Sequence, residues 1–484
     1  MIDTIGKNLF CIGANPIICT KLNITFKGSE IMTDLEMAHL IAEKVSEQGG
    51  TAYFVGGYVR DKLLCKDSKD VDLEIHNISV SELGRILDSL GDRIETGKSF
   101  GVYGLKGYHI DIAVPRKERP TGSGHTDFEV TANPFIGTYE AAKRRDFTIN
   151  ALMENVLTGE IIDHFNGQDD LKAKIIRHVN ADTFIEDPLR VYRAAQFSAR
   201  FGFEIAPETI ELCKDIDTHY LSNERVFEEL KKALLKSDKP SIFFERLREM
   251  DQLYNYFKYI GDLIDVPQNP KYHGEGDVWN HTMLVLDEAA KRRDKVNYPL
   301  GFMMSALCHD IGKAMCTENN GDKIMALEHE TVGATYIAIW LTHFVKEIRL
   351  VKYVVNMTEL HMRVHKLADS KVKMKSTNKI LDQAIEPYDL IQLGVCDGLG
   401  RIPSIDTEKE FMERYKVFTE VMSKPYVMGR DLIEAGLEPG VYFTEVLEYT
   451  HKLRLAGVSK ENQLKQAVSY ARIMLRKQGV KSDN

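Results

Sequence analysis

Between Asp70 and Ile75 the chain alternates acid and apolar, with Asp70, Asp72 and Glu74 interleaving Val71, Leu73 and Ile75. This period-two pattern is that of a half-buried strand, and it places the acids on one face. Other strand-like runs are Tyr53-Phe54-Val55, Val102 to Leu105 and His109 to Val114, and such patterns stop after Ile162. Helical periodicity then takes over, first from Asp187 to about Lys258 and next in a His-rich region from His273 to Asp397. The chain therefore reads as an α+β unit followed by all-α segments.

At 484 residues it exceeds the size at which single cores stop growing, roughly 250–300 residues. Texture divides it into an extension (1–31), an α+β head (32–160), a helical neck (161–262), a His-rich helical domain (263–402) and a helical tail (403–484). Met32-Thr33-Asp34 reads as a helix start, with Leu35, Met37, Leu40, Ile41 and Val45 at helical spacing and Gly49-Gly50 as the stop. Leu263 to Pro270, with two Pro, reads as a linker, and Gly436 to Gly440 as a break in the tail.

Hydrophobic residues at 43% and charged residues at 28% exclude a disordered, collagen-like or disulfide-scaffold chain. No stretch reaches the roughly 18 uncharged apolar residues of a membrane span, so no membrane partner is expected. The stretch before Met32 has no Arg, and its apolar run is broken by Gly13, Asn15 and Pro16, which fits neither a signal nor a transit peptide. The seven Cys form no C-x-x-C pair and are odd in number, so a reduced, cytoplasmic setting is expected. A net charge of −9 argues against indiscriminate adhesion to nucleic acid but not against a local basic track. From His451 onward eight Lys and Arg face two acids: a solvated basic helix, or a surface for a polyanion.

The chemistry begins at Gly56-Gly57. A strand followed by bare glycines can bring backbone N–H groups up to a phosphate. Asp70 and Asp72, sharing one face, repel unless a hard cation such as Mg²⁺ lies between them, and Asp111 could add a third carboxylate from a neighbouring strand. Separately these features are commonplace: an Asp-x-Asp is usually a solvated strand edge and a Gly-Gly a turn. In this order and spacing they resemble the class II polymerase-β-like nucleotidyltransferases, comprising the tRNA CCA-adding enzymes and bacterial poly(A) polymerases. The resemblance implies a polymerase-β-like nucleotidyltransferase head with Mg²⁺ at Asp70, Asp72 and Asp111. It also implies that Gly56, Gly57 and Arg60 meet nucleotide, with Arg60 and Asp61 bracing the turn and touching triphosphate.

Arg144-Arg145-Asp146-Phe147-Thr148-Ile149-Asn150 resembles that family's arginine motif, associated with ribose and triphosphate. Paired guanidinium forks match phosphate oxygens, and Asp146 could orient one of them or accept a ribose hydroxyl; a surface salt-bridge cluster is the plainer alternative. Glu186-Asp187-Pro188-Leu189-Arg190-Val191-Tyr192-Arg193 opens a helix, with Asp187 as cap and Pro188 at its first position. Glu186, Arg190 and Arg193 share a face. The family's motif implies that Asp187 and Arg190 read the Watson–Crick edge of CTP or ATP, an acceptor beside a forked donor, while Glu186 and Arg193 position them. The implied reaction is in-line attack of an RNA 3′-hydroxyl on the α-phosphate, with pyrophosphate leaving.

A second set, His281, His309-Asp310 and Asp397, resembles the ligands of the HD metal-dependent phosphohydrolases. Its mixed nitrogen and oxygen donors suit Mn²⁺, Ni²⁺, Fe or Mg²⁺. His329 and His361 could hold a second metal, though a lone His is more often a satisfied core residue. Pro115 to Arg119 with Gly124-His125, Gln268 to Pro270 with His273 to Gly276, and Lys424-Pro425 with Gly429 to Asp431 also resemble CCA-adding enzymes that carry an HD domain. Together these imply template-independent CCA addition to tRNA, with CTP and ATP as substrates and a phosphatase or 2′,3′-cyclic phosphodiesterase in the HD domain. The tRNA would be held mostly by shape through neck and tail. A poly(A) polymerase is the alternative that an HD domain disfavours. An HD hydrolase with a merely RNA-binding head is the one that Asp70 and Asp72 disfavour. The sequence does not fix the oligomeric state.

Overall fold

The computed structural model describes residues 32–66, 70–96, 102–120, 128–321 and 323–481. The extension 1–31, Gly124 and His125 lie outside them. Thr33 caps the first helix, Asp34–Glu47, in a capping box with Glu36, and Met37, Ala38, Ile41, Ala42 and Val45 form its buried stripe. Leu35, in the first turn, lies off that stripe and stays exposed.

The head carries β1 (Thr51–Val55), β2 (Val71–His76), β3 (Arg93–Thr96), β4 (Val102–Leu105), β5 (Ile110–Ala113), β6 (Arg116–Pro120), β7 (Phe128–Ala132), β8 (Met153–Asn155) and β9 (Ile161–Ile162). Seven of these form one mixed sheet in the order β3-β4-β5-β2-β1-β8-β9, while β6 and β7 pair separately. Two pairings place the chemistry. The β1 and β2 strands run antiparallel with Tyr53 opposite Glu74. The β2 and β5 strands run parallel with Asp72 opposite Asp111.

Beyond Ile162 the chain is mostly helical, but not wholly so. The two-residue strands β10 (Ile175–Ile176) and β11 (Glu204–Ile205) pair in parallel, and β12 (Thr317–Asn319) and β13 (Ile324–Ala326) form a hairpin. Strands this short leave no period-two signal, which corrects the expectation of purely α neck and HD segments.

One apolar core runs from the first helix through the neck into the His-rich domain. At the junction Phe257 meets Phe243, Phe244, Trp340 and Phe344 edge-on. The stretch read as a linker is irregular but packed: Leu263 is fully buried and its carbonyl accepts from Trp279 N–H at 3.1 Å. The tail has its own small core around Val427, Leu432, Val446, Ala467 and Ala471. Among the described residues no helix is long and apolar enough to cross a membrane.

Candidate active sites

In the head, β1 ends at a turn where Gly56 has φ +64°, a conformation that a side chain disfavours. A Cβ there would lie 3.7 Å from an Asp72 carboxylate oxygen and 3.0 Å from an Arg145 nitrogen. Asp72 thus faces the glycine turn across the sheet. Burial raises its pKa above the usual carboxylate value, the charges of Asp111 and Asp70 raise it further, and Arg145 and Arg60 oppose them. Like charges held together this way favour a bound cation.

Glu74, next on the same face, was not singled out from the sequence. It accepts from Arg145 at 3.1 Å and from His76 at 2.9 Å. Burial pushes its carboxyl up, but His76 and Arg145 outweigh that and hold it below the usual range. Beside it opens a cavity of about 310 Å³ lined by Glu74, Arg116, Arg144, Arg145 and Arg190. Four guanidinium groups around one cleft suit a polyphosphate.

Two expected nucleotide contacts prove internal. Arg60 is 3% exposed; its Nε and Nη2 lie against Asp61 and its Nη1 donates to Asn150 at 2.6 Å, over the ring of Phe201. It braces the helix Gly57–Leu63 under the glycine turn, and its burial corrects the expectation that it reaches triphosphate. Asn150 likewise joins Arg60 to Asp146, donating to the latter at 3.0 Å. Asp146 orients neither Arg144 nor Arg145: one of its oxygens takes Phe147 N–H, and the other takes Arg193 from the neck.

The neck helix Leu189–Phe201 starts one residue later than expected, with Pro188 as cap, while Asp187 accepts from Leu189 N–H at 3.2 Å. Glu186 pairs with Arg144 at 3.2 Å, and its charge also acts on Arg190. Arg190 donates to the carbonyls of Thr183 and Arg144, which fixes its guanidinium at the rim of the arginine-lined cleft. Asp187 is held by Arg225 through two contacts of 2.9 and 3.0 Å. Arg225 lies 38 residues away in sequence, and no local signal linked the two.

In the His-rich helical region, Asp310 sits at the centre of converging histidines. The Nε2 atoms of His281, His309, His329 and His361 lie 3.8, 3.3, 3.2 and 3.6 Å from its oxygens. Asp397 lies 3.2 Å from His281 Nε2. The Nδ1 atoms of His309, His329 and His361 bond the carbonyls of Ala306, Ala326 and Thr358, leaving Nε2 of each turned inward. Carbonyl-anchored imidazoles of this kind present a lone pair to a metal. The Nε2 atoms of His281 and His309 are buried without a hydrogen-bond partner. Among the described residues three triads have ligand atoms near enough for one ion each: His273, Glu275 and His281; His281, His309 and Asp310; and Asp310, His329 and His361. The donor set fits divalent ions, and Asp310 is common to two of the triads that would hold them. Around it stand Lys313 at 2.6 Å from Asp310, Arg401 forked onto Asp397 at 2.9 and 3.0 Å, and His365 at 2.6 Å from Asp397.

Residues 52–177 match the poly A polymerase head domain, and residues 202–262 the probable RNA- and SrmB-binding site of polymerase A. The chain is 34% identical over 361 residues to the multifunctional CCA protein of Dechloromonas aromatica, covering 72% of this chain and 84% of that protein. This chain belongs to the multifunctional CCA protein family. The family's Nitrosomonas europaea member is 39% identical over 284 residues, which is 58% of this chain. The match spans 66% of that relative, just under two thirds of its length. In fold the chain is similar to the Bacillus stearothermophilus CCA-adding enzyme in complex with CTP, with TM-score 0.61 and 19% identity over 93% of this chain and 99% of that one. The head match takes in Gly56, Asp72, Asp111 and Arg145, and the second match takes in Arg225. Both end before His281, so the cluster around Asp310 stands on its own geometry.

Proposed function

We propose that this member of the CCA protein family adds CCA to the 3′ end of tRNA from CTP and ATP in the cytoplasm, and that its second site is a binuclear HD phosphohydrolase. The observation that carries the first reading is the approach of Asp72 to the Gly56 turn, with Asp111 in register beside it. Mg²⁺ bound there would polarise the α-phosphate and ease deprotonation of the attacking hydroxyl. Asp70, Asp72 and Asp111 would hold it, and the bare N–H groups at Gly56-Gly57 would take phosphate oxygens. Arg144 and Arg145, anchored by Glu186 and Glu74, would orient the triphosphate. Asp187 and Arg190, each fixed by a partner, would read the base edge. A fixed reader discriminates because a wrong base leaves buried polar groups unpaired.

The converging histidines, with Lys313, Arg401 and His365 nearby, support an anionic phosphate ester as the second site's substrate. The test of the first reading is incubation of tRNA lacking its 3′ end with CTP, ATP or both. Growth that stops after C, C, A supports it; long A tracts from ATP alone support a poly(A) polymerase instead. Hydrolysis of a 2′,3′-cyclic nucleotide with Mn²⁺ or Ni²⁺ tests the second reading.

A further inference from the structure

Glu275 lies in the loop before the His281 helix, its side chain 1% exposed. One of its oxygens faces His281 Nδ1 at 3.0 Å and His273 Nδ1 at 2.7 Å. The other accepts from Ile402 N–H at 2.8 Å, in the loop that follows the Asp397 helix. The flanking glycines make this seat. A Cβ on Gly274 would lie 2.7 Å from the Ile402 carbonyl, and Gly276 has φ +105°.

We propose that Glu275 is the positioning residue of the HD metal site. It locks His281 as the Nδ1–H tautomer, so that Nε2 offers its lone pair to a metal, and it ties that ligand to the segment carrying Asp397 and Arg401. The inference rests on the HD reading of this site. His281 differs here from His309, His329 and His361, whose Nδ1 atoms meet neutral backbone carbonyls. A carboxylate partner adds a full charge, which makes the imidazole a better donor to a metal as well as an oriented one. Three N–H donors converge on this single carboxylate, and that demand gives a sharp test. In Glu275→Gln one carbonyl oxygen must replace two carboxylate oxygens. If the amide NH₂ faces the histidines, His281 is driven to the Nε2–H tautomer and cannot ligate. If it faces Ile402, two donors collide.

The experiment is calorimetric titration of Mn²⁺ into metal-stripped full-length protein, wild type against Glu275→Gln and Glu275→Ala. The expected result is an affinity weaker by about 10- to 100-fold in both variants, with the lost HD hydrolysis returning as Mn²⁺ is raised to saturation. A general packing defect would not be rescued by metal. Nucleotide addition by the head serves as the folding control, and Glu275→Gln, of equal volume, carries the test if Glu275→Ala does not fold. Wild-type affinity retained within twofold in both variants overturns the proposal. A wild type that binds neither Mn²⁺ nor Ni²⁺ overturns the HD reading, and the proposal with it.

Discussion

Arg193 of the neck grips Asp146 of the head with a fork, Nε at 2.8 Å and Nη2 at 2.5 Å from one carboxylate oxygen. Asp146 is buried, so the pair ties head to neck beside the arginine-lined cleft. Arg193→Ala leaves that carboxylate without its charged partner and should cost about 2–3 kcal/mol in urea unfolding at neutral pH. Burial pushes the Asp146 pKa up, but Arg193 and the Asn150 hydrogen bond outweigh it and set it below 3.8. Its contribution is therefore complete above pH 3.8 and lost as the pH falls below that value. Stability of Arg193→Ala should fall less steeply over that acid range. An unchanged acid limb would show that the pair does not stabilise the fold.

Asp72 behaves in the opposite sense. Burial and its acidic neighbours raise its pKa, so its ionised form weighs against the metal-free fold at neutral pH. Asp72→Asn should melt no lower than wild type without metal. Mg²⁺ should raise the melting temperature of wild type by more than that of the variant, whose His-rich site is intact. Equal stabilisation of both by Mg²⁺ would place the ion elsewhere.

Arg225 holds Asp187, which the proposed function casts as a reader of the base edge, through two contacts. Arg225→Ala should free Asp187 and blur the choice between CTP and ATP by about tenfold, equivalent to roughly 1.4 kcal/mol, without changing tRNA affinity. Competition assays with mixed nucleotides read this directly. Lost tRNA binding with intact base choice would assign Arg225 to the RNA instead.

The HD cluster predicts independence from addition. His309→Ala with Asp310→Ala should reduce cyclic-phosphate hydrolysis by two or more orders of magnitude, since a bound metal supplies several kcal/mol of charge stabilisation. It should leave CCA addition intact. Asp310 belongs to two of the candidate triads, so metal analysis should show the ions they would hold lost. Full wild-type metal content would contradict the assignment of Asp310 as a shared ligand.

Residues whose chemistry is local could be read from the sequence. The acid alternation after a glycine turn predicted β2 with its acids on one face, and the ordered His and Asp set predicted a converging cluster. Partners supplied by distant segments could not. Glu74 looked like one more polar position of a strand until Arg145 was seen against it, 71 residues away. Glu275 sits in a glycine loop with no periodicity. Arg401 did leave a trace, since it follows Asp397 at helical i+4 spacing. Arg60 misled because a basic residue beside a glycine turn looks the same whether it points at phosphate or into the core. Only burial separates the two.

The account stands on acidic side chains trapping divalent ions over the Gly56 bend. Its most direct test compares wild type with Asp70→Ala/Asp72→Ala for incorporation of CTP and ATP onto truncated tRNA, with hydrolysis at the HD site measured in the same preparations. The account predicts that the double variant loses addition by two or more orders of magnitude while hydrolysis persists. Addition that survives the loss of both carboxylates would contradict it.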